Sequence, residues 1–247
     1  MIKVLGAVTR RPGMTHAEYL AYIQYVHGKI TTDNPLTISR YMQNHVFDGA
    51  FGSHAEATNT MMASRDSVTE LCFDNAEAMI KTFSSDYVKQ TVGPDAKNFS
   101  DEANSVSVVV AEVEQSVINP AQASGAKVMH FIRAIEGMSL SEFFDRWSKA
   151  HDYVLANNSM AAHFVRRCVH NHQIPEFNQM LAYFGGKDAP IYEGVGSLWF
   201  DDVTSVNTFR EYEKALMKVN ENPDTAFYRP EKSFCLYARE VLIYDKN

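Results

Sequence analysis

The chain has 247 residues, 45% hydrophobic and 21% charged, which is ordinary for a globular protein. Its formal net charge is −7 with no concentrated basic stretch, which argues against nucleic acid or an anionic membrane as partner. No apolar run approaches the roughly 18 residues of a transmembrane helix, and no secretory pattern precedes the strand-like Ile2-Lys3-Val4-Leu5, so a cytoplasmic location is expected.

The chain reads as one unit written twice. Lys3-Val4-Leu5 pairs with Lys127-Val128-Met129, Gly13-Met14-Thr15 with Gly137-Met138-Ser139, and His27 with His151, at an offset of 127 − 3 = 124. Asn44-His45 then pairs with Asn171-His172, and Phe73-Asp74 with Phe200-Asp201, at 171 − 44 = 127. A repeat this long is a domain duplication. It predicts a first unit over 1–118, a turn-rich linker over 119–125 and a second unit over 126–247.

Each unit opens on an apolar run, 2–9 and 127–133, expected as a strand. After a glycine turn, Thr15-x-x-Glu18 and Ser139-x-x-Glu142 carry the capping-box pattern that starts a helix. Tyr19, Ile23 and His27, and likewise Phe143, Trp147 and His151, recur at helical spacing, so each histidine shares the sheet-facing stripe. A second strand is expected over 39–47 and 163–174, then a long loop, then a third strand ending at Phe73 and Phe200. Asp74 and Asp201 are expected to cap a second helix, and a last strand covers 105–113 and 233–243. This order is the ferredoxin-like split arrangement. A sheet with helices on one face must cover the other. The expected fold is therefore α+β, two tandem ferredoxin-like βαββαβ units closing on each other.

His27 and His151 are candidate acid/base groups, since imidazole titrates near neutrality; a histidine satisfied at a helix C-terminus is the structural alternative. On the second strands Tyr41, Gln43, His45 and Phe47 share one face, as do Cys168, His170, His172 and Ile174, while Asn44 and Asn171 face the other way. His170-x-His172 resembles half a metal site, but a third ligand would be needed and Gln43 stands at the equivalent place, so no metal is expected. The long loops carry Phe51, His54, Met61 and Met62, then Phe177, Met180, Tyr183, Phe184 and Tyr192; they would cover a flat ligand or pack on the sister unit. Glu112 and Glu240 read as edge charges rather than inward acids. Cys72, Cys168 and Cys235 read as small buried hydrophobes. No phosphate loop, nucleophile elbow or Cys-x-x-Cys is present, which argues against ATP, nicotinamide and thiol-redox chemistry.

Arg10-Arg-Pro-Gly-Met-Thr15…Glu18…His27, Tyr41-x-x-Asn44-His45, Glu70-Leu-Cys-Phe73-Asp74 and Asp95-x-x-x-Phe99 resemble the EthD family, and the second unit repeats most of the pattern. The second unit departs at Ile135-Glu136, and the small-Pro pair usual after the helix histidine is replaced by Gly28-Lys29 and Asp152-Tyr153. The resemblance implies the dimeric α+β barrel fold, here intramolecular. Relatives there include cofactor-free monooxygenases, polyketide cyclases, lactone isomerases and haem enzymes. The reading it supports is a cofactor-independent lyase or isomerase, of dehydratase or decarboxylase type, acting on a small aromatic or phenolic metabolite. His27 or His151 would move a proton and His45 or His172 would hold the oxygen. Tyr41, Asn44, Trp147, His170, Asn171 and Trp199 would bind substrate, with the histidine-rich second unit favoured and a homodimer possible. The alternatives are a cofactor-free or haem-dependent oxygenase and a non-catalytic binding protein for an apolar metabolite.

Overall fold

The computed structural model describes residues 1–51, 65–122, 125–184, 189–202 and 206–246. The first unit contributes β1 (Ile2–Val8), β2 (Arg40–Phe51), β3 (Ser67–Phe73) and β4 (Val106–Gln115); the second contributes β5 (Ala126–Ile132), β6 (Arg167–Gln173), β7 (Gly194–Phe200) and β8 (Phe234–Asp245). The helices are α1 (residues 16–32), α2 (Ala76–Ser84), α3 (residues 88–98), α4 (Leu140–Asn157), α5 (Ser159–Phe164) and α6 (Val206–Asn220).

All eight strands form one closed antiparallel barrel in the order β1-β3-β2-β8-β5-β7-β6-β4. The last strand of each unit pairs with the second strand of the other, β4 with β6 and β8 with β2, so each sheet covers its sister's bare face. Closure leaves no edge to blunt, and the edge reading of Glu112 and Glu240 is corrected. Both point inward, Glu112 to Lys3 at 2.6 Å and Glu240 to Lys127 at 3.1 Å. Inside the barrel, Leu5, Val68, Val108, Met129, Phe131 and Leu236 build an apolar core. Beside it Glu70 lies between the equivalent lysines, Lys3 (2.8 Å) and Lys127. Asn44 donates to the Val68 carbonyl (2.9 Å) and to Glu70 (2.8 Å); its counterpart Asn171 holds the Val195 carbonyl (2.7 Å) and Ser197 (3.2 Å).

Local signals explain the helix starts. Gly13 and Gly137 sit at φ +90° and +80°, the left-handed turn a side chain disfavours. Thr15 then closes a full capping box with Glu18, and Ser139 accepts from the Glu142 amide at 3.2 Å. The Asp74 cap is corrected: Asn75 caps α2 through the Ala78 amide (2.9 Å) and Asp74 pairs with Lys246 on the surface. Asp201 forms a two-pronged bridge to Arg166, and the residues it was expected to cap, 203–205, lie outside the described residues. The expected strand start at 163 is also corrected. Asn158 caps α5 through the Ala161 amide, so β6 begins only at Arg167. In the second long loop, Phe177 and Met180 pack on the first unit's core and Tyr192 enters the barrel core; His54, Met61 and Met62 lie outside the described residues. Phe51 ends β2 and stacks on Phe234. No helix among the described residues is long and apolar enough to cross a membrane.

Candidate active site

The two units differ on the outer faces of their sheets, where the helices pack. In the first unit α1 changes its winding over Tyr22–His27, where amides reach back five residues. The Ile23 carbonyl accepts from the Gly28 amide and also from Gln43 Nε2 at 2.7 Å. Such a bulge frees backbone acceptors and re-aims the side chains that follow it. His27 leaves the bulge and lines a cavity of about 150 Å³ between α1, α2, α3 and the sheet. Ile23, Tyr41, Phe83, Val88 and Phe99 make its wall mostly apolar, with Thr69, Thr82 and Ser107 as polar points.

His27 Nδ1 lies 2.8 Å from Asp95 Oδ2, and its ring packs on Phe99 at 4.6 Å between centroids. Asp95 Oδ1 accepts from Tyr22 Oη (2.7 Å) and Asn98 Nδ2 (2.8 Å). Burial alone would raise the Asp95 pKa, but donation from Asn98, Tyr22 and His27 outweighs it and holds the carboxyl below its ordinary value. Burial lowers the His27 pKa, and Asp95 recovers only part of that shift. The pair is therefore a neutral imidazole with Nδ1–H donated to a carboxylate, which leaves Nε2 as the basic atom. Tyr41 also lines the cavity, and its hydroxyl accepts from Gln43 Nε2 at 2.8 Å. His45 does not reach the cavity; its Nε2 lies 3.0 Å from Gln43 Oε1.

In the second unit the same space is filled. At Ile23's place (147 − 124 = 23) stands Trp147, at Gly6's (130 − 124 = 6) His130, and glycines 194 and 196 replace Ser67 and Thr69 beneath the indole. The fit is tight, for a Cβ on Gly194 would lie 2.5 Å from Trp147. Trp147 stacks on His170 at 3.7 Å, and His172 stacks on Phe144 at 3.8 Å. His151 is fully buried, with Nδ1 2.9 Å from Tyr212 Oη and Nε2 2.9 Å from the Ser116 carbonyl. No carboxylate replaces Asp95, whose position (223 − 128 = 95, from Phe227 and Phe99) holds Pro223. The second unit's aromatic residues thus occupy the cleft instead of lining it. Asn44, Asn171 and Trp199 do not line the cavity either. All three face the barrel interior, where Trp199 Nε1 donates to Glu240 at 2.9 Å and Lys127 sits over the indole at 4.4 Å. Of the expected residues, His27 and Tyr41 alone line the cavity. Asp95, Tyr22 and Asn98 carried no expected role, although Asp95 belonged to a quoted motif.

The EthD domain signature matches residues 11–103 and 135–225, most of each unit. The chain belongs to the EthD family. Both EthD units contribute four strands to one barrel, and solved structures share that architecture. A candidate monooxygenase from Lactobacillus acidophilus aligns at a TM-score of 0.51 and 9% identity, over 98% of this chain and 94% of that one. An anthrone oxidase-like protein aligns at 0.57 and 9%, over 100% and 94%. A mutant chlorite dismutase from Candidatus Nitrospira defluvii aligns at 0.53 and 7%, over 98% and 92%. At such identities the likeness concerns the dimeric α+β barrel fold alone. No curated protein matches the sequence.

Proposed function

We propose that the first EthD unit binds a small aromatic or phenolic molecule and moves a proton on it, as a cofactor-independent lyase or isomerase of the dehydratase or decarboxylase type. The observation that carries this reading is His27, paired with Asp95, on the wall of a mostly apolar cavity. A cavity of about 150 Å³ admits one small ring system, and the Phe83 and Phe99 rings offer it an apolar bed. His27 Nε2 takes a proton from a carbon beside a carbonyl or phenol, and Asp95 stabilises the imidazolium. The electron pair moves to the substrate oxygen. Tyr41, which accepts from Gln43, turns its own proton to that oxygen, the role expected of His45. The enolate then expels a hydroxyl from the adjacent carbon, which takes the proton back from the imidazolium and leaves as water, or the imidazolium returns its proton at a neighbouring carbon. Haem does not fit here, because the cavity falls below the roughly 300–1,000 Å³ of sites that enclose drug-sized ligands, and a tetrapyrrole is larger than those.

The test is exchange of α-deuterium into an aryl ketone such as 1-tetralone, in D2O under argon. The wild type should catalyse exchange and His27→Gln should lose at least ~100-fold. Undiminished exchange in His27→Gln would overturn the proton-transfer role. Consumption of phenolic substrates only in the presence of oxygen would replace the lyase reading with an oxygenase.

A further inference from the structure

The second unit's cleft is closed, yet its floor gathers a donor set that the first unit lacks. His151, Cys168 and His170 each place one ligand atom within 4.8 Å of the other two, and all three residues are buried. Cys168 Sγ lies 3.8 Å from His151 Nδ1. Two donors bound to one ion at about 2.0–2.3 Å, at trigonal or tetrahedral angles, stand roughly 3.5–4 Å apart. Two further details prepare the set. His151 Nε2 must carry the ring proton, because its partner is the Ser116 carbonyl, so the Nδ1 lone pair faces the sulfur. This is the outer contact that fixes the tautomer of a metal-binding imidazole. Among the described residues His170 Nδ1 is buried with no hydrogen-bond partner, a cost that a bound ion would remove.

We infer that His151, Cys168 and His170 form a binding site for a soft monovalent ion, Cu(I). Thiolate and imidazole donors suit Cu(I) and Zn(II) alike. Charge decides between them. One thiolate and two neutral imidazoles leave a net charge of zero around Cu(I), but +1 around Zn(II). An unpaired charge in a pocket walled by Trp147 and the second unit's core is costly. Binding forms the Cu–S bond and releases the Cys168 thiol proton to solvent, with no electron transferred. The Tyr212 hydroxyl, which now donates to Nδ1, gives up that lone pair to the ion. The first unit has Tyr41 and Gln43 in place of Cys168 and His170 (168 − 127 = 41; 170 − 127 = 43), so it cannot form the site.

Trp147 seals the site, so the ion must enter as the chain folds. The test is the full chain expressed in copper-supplemented medium and purified under argon, with metal counted by mass spectrometry and donors read by copper K-edge absorption. One copper per chain is expected, bound by one sulfur and two nitrogens. Cys168→Ser and His170→Asn should each lose at least ~10-fold in bound copper, while Cys72→Ser and Cys235→Ser keep it. If the site variants fail to fold, the wild-type absorption spectrum decides alone. A metal-free chain, copper held by sulfur only, or stoichiometric zinc would each overturn the assignment.

Discussion

His27 is under two opposed influences, burial that lowers its pKa and Asp95 that pulls it back up. The balance keeps the ring neutral at pH 7. Turnover should accordingly be full at neutral pH and fall on acidification, with its midpoint below the ordinary value of about 6.5. Asp95→Asn removes the upward influence, so the acid limb of the pH–rate profile should move to lower pH while the plateau drops at least ~10-fold. A limb that stays in place would show that another group titrates. Helical spacing was enough to put His27 on the sheet-facing stripe, and it is there. Its partner was not legible, because Asp95 lies 68 residues further along and no local pattern joins the two. Strand alternation likewise separated Asn44 from Gln43 correctly, but it does not tell which face meets a cavity and which meets the barrel interior.

The contrast between α1 and α4 accounts for one open cleft and one closed one. Both helices start from the same glycine turn and hydroxyl cap. Only α1 loosens at Ile23, and only α4 carries an indole at that place. Trp147→Ala should cost roughly 3–5 kcal/mol in urea unfolding, as for other buried aromatic truncations, since Gly194 and Gly196 leave nothing to fill the space. Glu70 matters as much in the barrel interior. Burial would raise its pKa, but Lys127 and Lys3 override this and keep it ionised. Glu70→Leu strands both lysines and should cost roughly 3–5 kcal/mol; a loss under about 1 kcal/mol would mean that Glu112 and Glu240 neutralise them unaided. The hydroxyl caps at Thr15 and Ser139 were readable because a cap is a contact between residues three apart. The inward turn of Glu112 and Glu240 was not, since it depends on β4 and β8 finding partners in the other unit.

Duplication lets one chain close a barrel that a single unit would have to complete with a second copy. It also frees the two halves to diverge, and the second has turned part of its cleft into core. His130 belongs to that core, edge-on to Phe209 and Tyr228, with its pKa pushed down to about 3 by burial and by Arg210. Its folded value lies below its unfolded value of about 6.5, so the unfolded chain binds more protons between the two. The stability this group confers is full above pH ~6.5 and is lost as pH falls towards 3, by about 1.4 kcal/mol per unit. Urea midpoints should drop between pH 7 and 4, and less so in His130→Phe. The repeat made this architecture legible from the sequence, whereas the asymmetry depended on how Trp147 packs. The most direct check is histidine NMR on the labelled chain during titration with 1-naphthol. The His27 resonances should move while those of His151, His170 and His172 stay fixed. Movement confined to the second unit's histidines would contradict the account.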